Sequence, residues 1–297
     1  MADKKPVLGF IGLGVMGKPM CRNLALKSGT KVIAADLRPE PLAELAADGV
    51  EAAQSIPDLV GKCDIIFLSL PGEKEVRQIC LGAGGLIEHV REGQTVVDTS
   101  TAPVTLSQEL GKRFAEKGVD FADAPVARTR QAAIDGTLAI TVGGDAAVLE
   151  RIRPYLACMA NEITHCGGHG AGEAVKLLNN MLVTMTTVAL AEAVTVARES
   201  GVVSDKVLFE AMSKGSADSF VLRNHGMKSL LPDDHPLRAF PVTYMLKDLS
   251  YALQLAENAG LSLRSANVVK GLLERTIELG HGEKYHTAVV KAVEEKA

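Results

Sequence analysis

Three glycines near the N-terminus have the spacing of a loop that holds a pyrophosphate. Gly12, Gly14 and Gly17 form the pattern G-x-G-x-x-G, directly after an apolar run that predicts a strand. Gly12 allows a tight turn, Gly14 lets the backbone approach the phosphates, and Gly17 lets the following helix pack closely on the strand. Unpaired N–H groups and the dipole at the start of that helix favour an anion. The loop therefore predicts dinucleotide binding.

An acidic residue follows this loop at the distance expected for a ribose ligand. Asp36 ends the next predicted strand, about 20 residues after Gly17. A carboxylate there accepts hydrogen bonds from both ribose hydroxyls and repels a 2′-phosphate, so NAD is favoured over NADP. Arg38 could instead accommodate a 2′-phosphate. The alternative is a strand–turn–helix unit without a ligand, which this context disfavours.

Polar side chains also interrupt an apolar stretch that begins the second half of the chain. Lys176 and Asn180 are four residues apart, so they share a face of a helix, and Asn179 lies close to that face. A lysine and two asparagines on a largely apolar helix are costly to bury without partners, which makes them candidates for a functional site. The alternative is an N-terminal turn in solvent whose asparagines bond locally. The spacing leaves both interpretations open.

Short apolar runs alternate with helical stretches from residue 6 to about residue 166. This alternation indicates an α/β Rossmann domain, a doubly wound and mostly parallel sheet with helices on both faces. Several runs are apolar throughout, as strands buried on both faces require. We expect strands at Val7–Ile11, Lys31–Ala35, Ile65–Leu70, Thr95–Asp98, Asp120–Asp123 and Ala139–Val142, and helices at Pro19–Ser28, Pro41–Asp48, Lys74–Ile79, Thr105–Lys117 and Ala146–Met159.

The pattern changes after the glycine-rich stretch that ends at Gly172. The run from Glu173 to Ser200 contains neither Pro nor Gly, which predicts one long, mostly buried helix that Gly201 ends. We therefore expect two domains, 1–168 for the dinucleotide and an all-helical 169–297, joined by this long helix. Further helices are expected at Asp205–Lys214, Ser219–Ser229, Thr243–Ala259, Ser262–Leu279 and Thr287–Glu295.

Composition argues against several classes of function. The net charge of −4 provides no basic patch for a nucleic-acid partner, and a chain without Trp offers little surface for base stacking. The five cysteines include no C-x-x-C pair and the seven histidines are scattered, so we expect neither a disulfide framework nor a metal site. We judge no run long and apolar enough to span a bilayer. A cytoplasmic protein without a membrane partner is expected.

Five ordered motifs together cover nearly the whole chain. They are Phe10–Gly17, Asp98–Pro103, Asp123–Val126 with Gly136–Leu138, Gly172–Asn180, and Phe240–Leu249. In this order they resemble the β-hydroxyacid dehydrogenase family, which includes 3-hydroxyisobutyrate dehydrogenase and tartronate semialdehyde reductase. The fourth motif matches the family's G-x-x-x-K-x-x-N-N catalytic signature. Several motifs in one order are far more specific than any one of them.

The resemblance implies roles for the polar residues of the long helix. Lys176 would be the acid/base that protonates the carbonyl oxygen as it receives hydride, and Asn180 would orient Lys176 or that oxygen. Lys247 would lie near the nicotinamide, where its charge in a low-dielectric cleft would lower the pKa of Lys176 toward working pH. Four further residues would line the cofactor: Val15, Met16, Leu70 and Thr101. Ordinary loop and strand-end packing is the alternative for Val15 and Leu70.

The segment expected to hold the substrate departs from the family. Most members carry Ser-Gly-Gly after D-[AV]-P-V, whereas this chain has Ala-Arg-Thr-Arg at 127–130. This variant is similar to that of sulfolactaldehyde reductase, in which the Arg holds the sulfonate and an Asn of the catalytic helix assists. Arg128 and Asn179 match those two residues. Thr129 and Val183 complete the expected substrate residues, although that relative has Ser where Val183 stands.

A guanidinium in a cleft calls for an anion, because an unpaired buried cation is costly. The alternative for Arg128 and Arg130 is that both are solvated loop charges. With an anion at Arg128, we expect an NAD-dependent reductase or dehydrogenase that interconverts a short anionic β-hydroxyacid and its semialdehyde. The anionic group is a carboxylate or a sulfonate.

Two other functions on the same scaffold stay open. One is an imine reductase, which Lys176 argues against because those enzymes usually replace the catalytic lysine. The other is a catalytically silent module that binds NAD. The long helix is too hydrophobic for one small domain to cover, so we also expect a homodimer or homotetramer. The residues expected to pack partly against a partner subunit are Met181, Leu182, Met185 and Val188.

Overall fold

The computed structural model describes residues 5–237 and 239–295. Backbone packing divides the chain into two units, Met1–Lys176 and Leu177–Ala297. The division falls within one long helix, α9, which runs from Ala171 to Ser200. The predicted domain boundary after residue 168 stays a prediction.

The first unit is built on a mixed sheet. Among the described residues its strands are β1 (Leu8–Ile11), β2 (Val32–Ala35), β3 (Glu51–Ala52), β4 (Ile65–Leu68), β5 (Thr95–Asp98), β6 (Asp120–Asp123), β7 (Val126–Ala127), β8 (Leu138–Gly143) and β9 (Ala160–Gly167). Their order is β3-β2-β1-β4-β5-β6-β8-β7, with β9 paired to β8. Strands β1 to β6 pair in parallel, while β8 runs antiparallel to β6 and β7 and parallel to β9. The prediction of a doubly wound, mostly parallel sheet is confirmed.

The chain order reverses at β1, which lies between β2 and β4. In open α/β sheets, ligands bind at the carboxyl ends of the strands at such a switch point. The glycine loop follows β1 directly, so it lies at this point. The helices of the first unit are α1 (Gly17–Lys27), α2 (Pro39–Ala46), α3 (Ile56–Lys62), α4 (Glu73–Leu81), α5 (Leu86–His89), α6 (Val104–Ala115), α7 (Arg130–Asp135) and α8 (Ala146–Leu156).

Side chains of the central strands alternate between two apolar layers. Phe10 of β1 lies in one layer, where its ring stacks on Phe67 of β4 with the centroids 6.2 Å apart. Ile11 and Ile66 lie in the other layer, which packs against α3 and α6 through Leu59 and other buried residues. Burial on both faces explains why these runs are apolar throughout.

The short and polar elements of this unit have no sequence pattern that predicts them. Strand β9 carries Asn161, Glu162 and Thr164 and is exposed over much of its length, so no apolar run marks it. Helix α3 has seven residues, too few for a clear periodicity, although Ser55 caps it by accepting a hydrogen bond from the backbone N–H of Asp58 at 3.2 Å. Strands β3 and β7 have two residues each. Elements of this size depend on pairing rather than on local pattern.

The second unit is helical, as predicted. Its α-helices beyond α9 are α10 (Asp205–Met212), α11 (Val242–Asn258), α12 (Arg264–Thr276) and α13 (Val290–Val293). The helix expected at 219–229 is a π-helical segment, Leu222–Leu230. The one expected at 262–279 ends at Thr276 and continues as a π-turn in which Gly280 has φ 83°. The one expected at 287–295 is split between a 3₁₀ turn, His286–Val289, and α13.

Part of helix α9 belongs to the core of the second unit. Val188 and Leu190 are buried there with Leu222 and Leu249. Val188 therefore faces its own domain rather than a partner, whereas Leu182 is 60% exposed. Helix α9 is also long and apolar enough to cross a membrane by length and composition, contrary to our expectation, but 44% of its apolar 18-residue stretch is buried inside the protein. The expected cytoplasmic location stays a prediction.

Candidate active site

The glycine loop has the geometry that its sequence pattern requires. Gly12 has φ 95°, and a Cβ on it would lie 2.3 Å from the carbonyl oxygen of Ser69. A Cβ on Gly17 would lie 2.0 Å from the carbonyl oxygen of Gly12. By contrast, no atom lies within 4 Å of the Cβ position of Gly14. Two glycines thus allow close packing, and the third leaves open space where a pyrophosphate would approach the backbone.

The helix after this loop begins without a side-chain cap. Met16 is at the N-cap position of α1 and makes no side-chain hydrogen bond to the first turn, which contains no acidic residue. The amino end of an uncapped helix of 11 residues favours an anion. Together with the open space at Gly14, this end fits the pyrophosphate of NAD.

Asp36 is hydrogen-bonded to the glycine loop. Its carboxylate accepts from the backbone N–H of Leu13 at 2.6 Å and from the backbone N–H and Nε of Arg38 at 2.9 and 3.1 Å. Partial burial acts to raise the pKa of Asp36, but the backbone donors of Arg38 and Leu13 and the guanidinium of Arg38 outweigh it, so the pKa is lowered. The acid is therefore ionised at neutral pH and held beside the loop, as a ribose ligand must be.

The other residues expected along the cofactor lie on the loops after β1, β4 and β5. Leu70 donates its backbone N–H to Ser100 Oγ at 2.9 Å, and its Cδ2 lies 3.0 Å from the Cβ position of Gly12. Val15 is 50% exposed, while Met16 is partly buried against the core and Thr101 is partly buried. Leu70 and the glycine loop are thus in contact, and the cofactor contacts of all these residues stay a prediction.

The expected substrate segment contains a strained arginine. Arg128 is not a glycine but has φ 86°, a backbone conformation that L side chains rarely adopt. Its Nη1 donates to the carbonyl oxygen of Thr137 at 2.5 Å and to Asn161 Oδ1 at 2.6 Å. Thr129 Oγ1 caps α7 by accepting from the backbone N–H of Ala132 at 3.3 Å. The sequence analysis did not anticipate Asn161, whose strand it missed.

Two buried carboxylates surround the start of α9. Asp123 Oδ1 accepts from the backbone N–H of Gly170 at 2.7 Å, and its Oδ2 accepts from that of Glu173 at 3.0 Å. Glu173 Oε1 in turn accepts from the backbone N–H of Ala102 at 3.1 Å. Both acids are fully buried. Burial raises the pKa of Asp123, and the two backbone donors oppose that rise. Lys176, on the next turn of the helix, is half-buried.

In the second unit, Asn180 is held by an acid that the sequence analysis did not single out. Asn180 Nδ2 donates to Asp248 Oδ2 at 2.7 Å, and Asn179 Nδ2 donates to Asn180 Oδ1 at 3.2 Å. Asp248 is 1% exposed and Asn180 is 7% exposed. The alternative interpretation, a helix turn in solvent, is therefore wrong for Asn180. Asn179, by contrast, is exposed. Val183, expected to contact substrate, packs against the core of this unit.

Lys247 adds a cation to this group. Its Nζ lies 3.3 Å from Asp248 Oδ1 and 5.4 and 5.5 Å from the ring centroids of Tyr244 and Tyr251. Both the carboxylate and the ring faces attract an ammonium. The sequence offered one signal for Asp248, its place beside Lys247 in the Phe240–Leu249 motif.

Comparisons with known proteins cover both units. A family model described as the NAD binding domain of 6-phosphogluconate dehydrogenase matches residues 7–168. A second, described as NAD-binding of NADP-dependent 3-hydroxyisobutyrate dehydrogenase, matches residues 170–293. The predictions of an oxidoreductase and of an NAD-binding domain are confirmed, while the preference for NAD over NADP stays a prediction.

Two relatives are similar over almost their whole length. The chain is 34% identical over 293 residues to 2-(hydroxymethyl)glutarate dehydrogenase of Eubacterium barkeri, covering 99% of this chain and 96% of that protein. It is 33% identical over 289 residues to 2-hydroxy-3-oxopropionate reductase of Escherichia coli, covering 97% of each. Among solved structures, Mycobacterium tuberculosis 3-hydroxyisobutyrate dehydrogenase with L-serine has a TM-score of 0.89 and 28% identity, covering 98% of this chain and 100% of that one.

Proposed function

Because the chain belongs to the β-hydroxyacid dehydrogenase family, we propose that it interconverts a short anionic β-hydroxyacid and its semialdehyde with NAD(H). The similar proteins named above are oxidoreductases that act on hydroxyacids or their oxo forms. The observation that carries the proposal is the environment of the signature helix. Lys176 is followed one turn later by Asn180, which is buried and held by Asp248.

Lys176 is the proton donor and acceptor in this proposal. Bound NADH supplies the hydride that reduces the carbonyl carbon of the semialdehyde. As negative charge grows on the carbonyl oxygen, the ammonium of Lys176 donates a proton to it, and in the oxidation direction the neutral amine takes that proton back. The position of Lys176 on a long helix keeps its backbone fixed, which favours a reproducible distance to the reacting oxygen.

Asn180 and Lys247 assist from defined positions. The amide of Asn180 is oriented at both ends, because its Nδ2 donates to Asp248 and its Oδ1 accepts from Asn179. It orients Lys176 or the substrate oxygen, four residues away on the same helix face. Lys247 contacts the nicotinamide in this proposal.

Arg128 selects a substrate that carries a negative charge. The contacts of Nη1 with Thr137 and Asn161 fix the guanidinium plane. The donors on Nε and Nη2 form the edge of the fork that takes a carboxylate or a sulfonate through two parallel bonds. Thr129, Asn179 and Val183 are the other substrate residues of this proposal.

The chain assembles with copies of itself in this proposal. Val175, Leu178, Leu182 and Val196 of α9 are between 42% and 67% exposed, at spacings that leave them along one side of the helix. Exposed apolar side chains in such a row favour a partner, so we propose a homodimer or homotetramer.

A substrate panel tests the proposed function. We expect oxidation of NADH by one or more of 2-hydroxy-3-oxopropionate, sulfolactaldehyde and succinic semialdehyde, and lower activity with NADPH because Asp36 repels a 2′-phosphate. Arg128→Ala should raise KM at least about tenfold for the anionic substrate and change kcat less, because it removes a bidentate charge-assisted contact. Arg130→Ala, two residues away at the start of α7, is the control. Reduction of cyclic imines in place of the semialdehydes would favour an imine reductase, and no oxidation of NADH with any compound would favour a silent module.

A further inference from the structure

The first turn of α9 is capped by a residue from a different element. A helix usually ties up its first N–H groups with the side chain of its own N-cap residue. Here Asp123, at the end of β6, accepts from the N–H groups of both Gly170 and Glu173. Strand and helix start are therefore joined by two charge-assisted hydrogen bonds, which are stronger than bonds between neutral groups.

Two glycines let the helix approach the sheet at this point. A Cβ on Gly172 would lie 2.5 Å from the carbonyl oxygen of Thr141 and 2.9 Å from Asp123 Oδ2. A Cβ on Gly143 would lie 2.5 Å from Asp123 Oδ1. Thr141 Oγ1 also donates to the carbonyl oxygen of Gly172 at 3.0 Å. The start of the helix therefore lies directly against the backbone of strand β8, so its first turn has little freedom to shift.

Glu173 ties the same turn to the cofactor side of the sheet. It accepts from the N–H of Ala102, in the loop after β5. In that loop Ser100 Oγ accepts from the N–H of Leu70, whose side chain contacts the Gly12 turn. A chain of contacts therefore runs from the glycine loop through both strand-end loops to the turn before Lys176.

Capping alone does not require buried charges. Elsewhere in the chain, the hydroxyls of Ser55 and Ser204 cap α3 and α10. Burying a carboxylate carries a large desolvation cost that its partners must compensate, so a neutral cap would stabilise a helix at lower cost. Unlike a local cap, Asp123 and Glu173 attach helix α9 to β6 and to the loop after β5.

We propose that Asp123 and Glu173 are positioning residues that set the location of Lys176 relative to the cofactor loops. The inference rests on the proposed function, because it assumes that Lys176 transfers the proton. A displacement of about 1 Å in a reacting group reduces turnover by about 100-fold. Loss of either tether should therefore slow the chemical step and leave cofactor binding nearly unchanged.

The test compares Asp123→Ala and Glu173→Leu with a matched control. Asp145→Ala removes another carboxylate N-cap, whose Oδ1 accepts from the N–H of Ala147 at 2.7 Å at the start of α8. We expect the first two variants to lose about 10- to 100-fold in kcat. Their Kd for NADH should stay within about threefold of wild type, and the isotope effect on kcat with 4-deuterated NADH should rise. Asp145→Ala should keep kcat and the isotope effect of wild type. The substrate is the panel compound that the wild-type enzyme turns over fastest.

Two conservative variants keep the test informative if truncation prevents folding. Glu173→Gln retains an oxygen that accepts from Ala102, so its kcat should stay within about threefold of wild type. Asp123→Asn retains only one acceptor, so its kcat should fall and its isotope effect should rise. Wild-type kcat and isotope effect in Asp123→Asn would overturn the positioning role of Asp123, and the same values in a folded Glu173→Leu would overturn that of Glu173. If Lys176→Ala also kept wild-type turnover, the proposed function itself would be wrong. If Lys176→Ala lost turnover, the proposed function would stand and only the positioning role would be wrong.

Discussion

Asp248 provides a quantitative test of the arrangement around Asn180. Asp248→Leu removes the acceptor of a 2.7 Å hydrogen bond and leaves the amide of Asn180, which is 7% exposed, without that partner. An unsatisfied buried donor costs about 1–3 kcal/mol. The ion pair with Lys247, whose side chain is 22% exposed, adds about 1 kcal/mol at most. We therefore expect the free energy of unfolding of this unit to fall by about 1–4 kcal/mol.

Asp248→Asn separates the two contributions. Its side-chain oxygen still accepts from Asn180, so only the ion pair is lost and the expected cost is about 1 kcal/mol. The assay is urea unfolding followed by circular dichroism, since the chain contains no Trp, with exposed Asp234→Leu as the control for a surface charge. Turnover should fall further in Asp248→Leu than in Asp248→Asn because only the former releases Asn180. Equal unfolding free energies in the Leu and Asn variants would refute this reasoning.

Two further predictions concern the glycine loop and the histidines of the second unit. Gly12→Ala should lower the free energy of unfolding by at least about 1–3 kcal/mol because of its φ of 95° and the nearby Ser69 carbonyl. Gly14→Ala should fold like wild type but bind NADH at least about tenfold more weakly, measured by calorimetry, because its Cβ fills the space for the pyrophosphate; wild-type affinity would count against the loop. Burial lowers the pKa of His225 from 6.5 to about 4 and that of His286 well below 6.5. Well above pH 6.5 both are neutral in either state. Below that pH the unfolded chain binds a proton that folded His225 excludes, so stability should fall between pH 6.5 and 4 by about 1.4 kcal/mol per pH unit for His225, and His286 acts in the same direction. Urea midpoints across this range should depend less on pH in His225→Phe, and an unchanged pH dependence would contradict the prediction.

The sequence predicted those features that depend on local pattern. The glycine loop and Asp36 could be identified because the turn, the strand and the acid occur within one short segment. The central strands could be identified because burial on both faces requires continuous apolar runs. Strand β9 could not, because an edge strand with Asn161 and Glu162 in solvent lacks such a run.

The tertiary contacts of charged residues could not be predicted from the sequence. Asp123, Glu173 and Asp248 are acids whose burial depends on N–H and amide donors far along the chain. A sequence shows that an acid is present but not which donor it meets. The same holds for Arg128, whose positive φ and contacts with Thr137 and Asn161 depend on how β7 pairs with β8.

The central claim is that Lys176 transfers the proton that accompanies hydride transfer. Its most direct test is turnover of Lys176→Ala with the best panel substrate, together with the Kd for NADH of the same variant. We predict that Kd stays within about threefold of wild type while kcat falls by about 100- to 10,000-fold, because an acid/base group is removed and the cofactor site is intact. A kcat close to that of wild type in this variant would contradict the mechanism.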